Sequence, residues 1–101
     1  MKLWGILRSK QKIIASHVSE IPERNGPYPP EWLHDAIGEI CSTLDIARPV
    51  VLEKHANDFS RFSRVIFKKD DFIEKVAFDQ LEIELIDSDR KSKESQAFID
   101  D

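Results

Sequence analysis

The chain has 101 residues, 41% of them apolar, which is enough for one compact domain with its own core and excludes reliance on disulfide staples. A formal net charge of −4 at pH 7 argues against a domain that owes its affinity to many phosphate contacts. No run approaches the roughly 18 apolar residues of a membrane span, and Arg8, Lys10 and Lys12 occupy the place of a leader's apolar stretch, so a cytoplasmic protein with no membrane partner is expected.

In chain order, KLWGILR and KIIASHVSEI are β-branched or aromatic runs on either side of Ser9-Lys10-Gln11, a pattern that predicts a hairpin. Gly5, inside the first run, marks a bulge or a close backbone approach. Residues 22 to 30, PERNGPYPP, hold four of the five prolines together with Asn25-Gly26, which predicts a loop. Twenty residues before it cannot build a core of their own, so this break is no domain boundary.

From Pro30 to Asp45, Trp32, Leu33, Ala36, Ile37, Ile40, Cys41 and Leu44 recur at helical spacing, and Pro30 suits a first turn. The opposite side carries Glu31, Asp35, Glu39 and Ser42, with Gly38 among them. After Pro49, Val50-Val51-Leu52 predicts a short strand or an extended lead-in. Leu52, Ala56, Phe59 and Phe62 or Ser63 then share one helical face, so residues 53 to 62 read as a helix whose phenylalanines point into the core. Arg64 to Lys68 switches to period two, a strand with Val65 and Phe67 on one side. Asp70 or Asp71 suits the cap of one helical turn packing Phe72, Ile73 and Val76 inward. Gln80 to Asp87 alternates cleanly, with Leu81, Ile83 and Leu85 inward and Glu82 and Glu84 in solvent. From Ser88 the composition predicts a disordered charged tail in which only Phe98-Ile99 is available for burial or docking.

Taken together, these elements predict a single α+β domain over residues 1 to 87. A small antiparallel or mixed sheet, made of the N-terminal hairpin and later strands, is covered on one face by two helices and left solvated, or covered by a second subunit, on the other.

Catalytic patterns are sparse. His17, His34 and His55 lack paired zinc spacing, and Glu31-x-x-His34 is half of a di-metal carboxylate motif without the other half. Cys41 and His34 lie about 10 Å apart along one helix, beyond hydrogen-bond reach, and the isolated glycines form no phosphate loop. A lone cysteine among apolar helix positions reads as a small core hydrophobe. No enzyme, cofactor or metal site is expected.

The remaining signal is basic. Residues 1 to 69 carry 11 basic and 8 acidic groups, whereas residues 70 to 101 carry 4 and 11. On a helix continued to residue 64, Lys54, Asn57, Arg61 and Arg64 form one stripe, which Lys68 and Lys69 extend. Three destinations suit that stripe: a protein partner, the phosphates of a nucleic acid, or the acidic stripe Glu31, Asp35 and Glu39. The last contact would lie within the chain or across a symmetric homodimer. The leading expectation is a non-enzymatic interaction or accessory module using this edge, with nucleic-acid binding as the alternative.

The ordered set Leu3-Trp4-Gly5, Glu39-Ile40-Cys41, Arg48-Pro49, Leu52-x-Lys54-His55, Phe59-x-Arg61-Phe62, Asp71-Phe72-Ile73-Glu74 and Leu81-Glu82-Ile83-Glu84 resembles a group of small bacterial proteins of about this length. The resemblance covers residues 1 to 87. That group has no established activity, so the resemblance implies a bacterial cytoplasmic source and transfers no catalytic residue.

Overall fold

The computed structural model describes residues 1–86 and shows an α+β architecture. Strands β1 (Lys2–Ser9) and β2 (Lys12–Glu20) form the expected hairpin, with Lys10 and Gln11 both at positive φ in the two-residue turn. Such a turn matches the right-handed twist of the strands it joins. One register shift between Leu7 and Arg8 leaves Ile14 as an unpaired bulge residue on β2.

Two helical pieces follow the proline-rich loop. The predicted single helix is bent, with α1 (Pro30–Ala36) and α2 (Gly38–Leu44) meeting at Ile37. Ile37 has φ −85° and ψ −4°, off the helical minimum. The bend carries Gly38, expected on the solvent side, into a buried position under the Arg48 guanidinium. Residues 50 to 52 are extended without joining the sheet, although Val50 N–H donates to Asp71 C=O at 2.7 Å. Helix α3 (Glu53–Phe62), strand β3 (Arg64–Lys68) and strand β4 (Gln80–Ile86) lie where the sequence pattern puts them. The predicted helical turn beginning at Asp70 or Asp71 does not form; a single 3-10 turn, Lys69–Asp71, precedes it instead, and the carboxylate of its last residue, Asp71, accepts from Lys68 N–H at 2.9 Å. Phe72 is buried as expected, but Ile73 is 88% exposed, because the turn ends before it could direct a second apolar residue inward.

The sheet is antiparallel in the order β2-β1-β4-β3, which makes β2 and β3 its edges. Register separates its two faces. Leu3, Gly5 and Leu7 align with Leu85, Ile83 and Leu81, and Val65 and Phe67 with Ile83 and Leu81, on the face beneath the helices. The core lies there, with Leu33, Ile37, Ile40 and Phe59 packed from above. Gly5 has a steric purpose: a Cβ at that position would run into the Ile40 side chain. The loop contributes more than a break, because Tyr28 is buried against Trp32 and Phe59, with ring centroids 4.8 and 5.1 Å away.

The opposite face carries Trp4, Ile6, Arg8, Arg64, Ile66, Glu82 and Glu84. Glu82 is a correction to the sequence reading. It is only 6% exposed, held between Arg8 at 3.3 Å and Arg64 at 2.8 Å. A carboxylate on the central strand is screened by long neighbours on both sides, and only paired charge tolerates that position. Among the described residues no helix is long and apolar enough to cross a membrane. The expected tail from Ser88, including Phe98-Ile99, lies outside the described residues.

Candidate interaction edge

Helix α3 positions the first three residues of the basic set. Leu52 N–H donates to His55 Nδ1 at 2.9 Å, half of a capping box in which histidine replaces the usual glutamate or glutamine, while His55 N–H donates to the Leu52 backbone carbonyl at 3.0 Å. His55 is otherwise buried, its ring against Phe67 and its Nε2 3.4 Å from Asp71 Oδ1. His55 thus ties the start of α3 to the end of β3. With His55, Ala56 and Phe59 facing inward, Lys54, Asn57 and Arg61 are left exposed on the outer side.

The stripe does not continue as a helix. Ser63, at φ 57° and ψ 27°, closes α3 in the left-handed region, and Arg64 begins β3. Arg64 therefore projects onto the sheet's outer face and pairs with Glu82, while Lys68 falls on that same face two strand positions beyond Ile66. Lys69 lies 3.8 Å from Asp79 in an exposed pair. The structure thus brings Lys54, Asn57 and Arg61 together on α3 and Arg64 and Lys68 together on β3, with Lys69 turned toward Asp79.

Between these two sets lies a residue that sequence reasoning misplaced. Phe62 is 62% exposed rather than in the core, with the Arg61 guanidinium 5.0 Å above its ring. At 100° per residue it stands about 60° from Phe59 around the helix, and it occupies the last turn, whereas Phe59 packs against the Tyr28 and Trp32 rings. That angular offset at a helix end was the available signal. Asp58, Phe62, Arg64, Val65, Ile66 and Lys68 line a shallow groove of about 420 Å³.

The acidic stripe on the preceding helices does not meet these cations. Glu39 accepts a hydrogen bond from Ser19 Oγ and lies 3.9 Å from His17 Nε2, while Asp35 sits 3.5 Å from its neighbour His34. The bend at Ile37 divides that stripe between two helices, and α2 carries Glu39 over β2, the strand farthest from β3. Glu31, His34, Asp35 and Glu53 line a separate open depression with Pro29, Pro30 and Val51.

No group of three or more His, Cys, Asp or Glu suited to a metal occurs among the described residues. Cys41 is buried, and burial pushes its thiol up to about 11, with Arg48 pulling weakly the other way. A thiol held neutral in this way is a poor nucleophile at pH 7. No family model, curated protein or solved structure matches the chain.

Proposed function

We propose that the protein is a non-enzymatic interaction module whose contact surface is the edge formed by Lys54, Asn57, Arg61, Phe62, Arg64, Ile66 and Lys68. The observation that carries this reading is the exposure of Phe62, at 62%, under the Arg61 guanidinium and beside a groove. An aromatic ring left in water forgoes the burial that Phe59 obtains one turn earlier, and an aromatic with an arginine at its side is a common binding anchor. The partner is a protein met in the cytoplasm.

The test is photocrosslinking in cells, with Phe62 replaced by benzoylphenylalanine. A discrete protein adduct that disappears with Lys54→Glu plus Arg61→Glu supports the module, provided the double variant keeps its circular dichroism spectrum and melting midpoint. Absence of any adduct sinks it.

A second reading has one observation in its favour. The same exposed ring between Arg61 and Arg64 can stack on a base of single-stranded nucleic acid. The net charge of −4 weighs against it. It predicts that the crosslinked species is RNA or DNA, and that binding weakens steeply between 50 and 200 mM salt, a range over which phosphate contacts lose most of their affinity.

A further inference from the structure

Two hydrogen bonds fix which way the β3 backbone points. Leu85 N–H donates to Ser63 C=O at 2.8 Å, and Leu85 stands one position beyond the Glu84–Arg64 pair, so Ser63 and Leu85 face each other as a hydrogen-bonded pair. Alternation then directs Val65 and Phe67 toward β4, and Arg64, Ile66 and Lys68 away from it. Lys68 confirms the parity, because its N–H leaves the sheet to reach Asp71. As β3 is a sheet edge, the N–H and C=O groups of Arg64 and Ile66 face no other strand among the described residues.

The groove lies along this same line. Arg64, Ile66 and Lys68 come from the outer face of the sheet, Val65 from the face beneath the helices, and Asp58 and Phe62 from α3. A cavity that touches both faces of one edge strand runs along its open side, where a further strand would sit.

Charge selects the occupant. A second copy adding through the same edge, centred on Ile66, would set Arg64 opposite the partner's Lys68 at both ends, and like charges directly opposed are destabilising. An acidic strand meets the reverse situation. Glu82 is shared between Arg8 and Arg64, and Glu84 faces Arg64 across the strands, so this cluster is balanced and the positive excess at the edge comes from Lys68 and Arg61 against Asp58.

We propose that the outer edge of β3 takes up an extended acidic segment of a partner protein as a fifth strand. This rests on the interaction-module reading and specifies its mode and its ligand. Side chains opposite Arg64, Ile66 and Lys68 share the outer face, so the segment has an acid, an apolar residue and an acid at alternate positions. Its intervening residues lie toward Asp58 and Phe62.

The experiment uses the full chain and the capped peptide Ser-Glu-Thr-Val-Thr-Glu-Ser, which reads the same in both directions, followed by fluorescence anisotropy at low salt. Two derivatives carry backbone N-methyl groups, one on the central valine and both glutamates, the other on both threonines. Only alternate amides of an added strand point at its neighbour. One derivative is therefore expected to lose at least about ten-fold in affinity while the other stays within about three-fold of the parent. Loss at the valine and glutamates indicates antiparallel addition, and loss at the threonines indicates parallel addition. Equal behaviour of the two derivatives, whether both bind or both fail, overturns strand addition. If both bind like the parent, a side-chain contact at the edge still stands. Failure of the parent peptide to bind also overturns the proposal, and the crosslinking at position 62 then decides independently whether the edge is a contact at all.

Discussion

Phe59 and Phe62 show how three positions of chain change what a side chain does. Phe59 is fully buried against Tyr28 and Trp32, so Phe59→Ala should cost about 3–5 kcal/mol in a urea melt. Phe62→Ala should cost less than about 1 kcal/mol in the same measurement, because its ring is already in water. At Gly5, an added methyl would strike Ile40, and Gly5→Ala is expected to lose about 1–3 kcal/mol. Combining it with Ile40→Ala should cost less than the sum of the two single changes, since the second removes the obstruction met by the first. Cys41 gives a pH prediction. Its thiol titrates near 9.0 when free and near 11 when folded, so the folded chain holds the proton over an interval in which the unfolded chain has released it. This contribution is fully present below pH 9.0 and falls away as pH rises toward 11, a loss of roughly 2–3 kcal/mol that Cys41→Ala should abolish in melts taken across that range.

The elements were legible in the sequence to different degrees, according to how local their causes are. Helix α3 and strands β3 and β4 follow from apolar period alone, and their bounds nearly match the pattern. The bend at Ile37 was hidden, because the apolar spacing from Trp32 to Leu44 runs through it without a break. Burial of Gly38 depends on Arg48, which the chain brings back only after α2 ends. Glu82 was illegible for a similar reason: alternation gives its face but not its arginine neighbours, and those arrive from β1 and β3. The two ends of this cluster should differ in weight. Glu82→Ala, removing the shared buried carboxylate, is expected to cost about 1–3 kcal/mol. Arg64→Ala should cost less than about 1 kcal/mol, because that side chain is 53% exposed and Arg8 still pairs with Glu82. The basic edge was half legible. Its residues were named from sequence, but the helical stripe broke at Ser63, and the edge took its shape from a strand and a misplaced phenylalanine.

At the scale of the molecule, one core joins the hairpin, the helices on one sheet face and the late strands. The two tryptophans report on different layers, Trp4 on the sheet's outer face and Trp32 beside Tyr28 and Phe59. Single-tryptophan variants, Trp4→Phe and Trp32→Phe, should unfold in urea with a coincident transition by fluorescence and circular dichroism within each protein, as a cooperative unit requires. Separate midpoints for the two signals would mean that the hairpin and the α3–β3 unit unfold independently. The strand order also bears on synthesis. Strand β4 sits between β1 and β3, yet it is the last element described, and neither of those strands touches the other without it. A nascent chain therefore cannot join the hairpin and β3 into one sheet until about residue 86 has emerged, although α1 and α2 can already link the hairpin to α3. The closing strand is the one that carries Glu82, so Arg8 and Arg64 gain their shared carboxylate only as the sheet is completed.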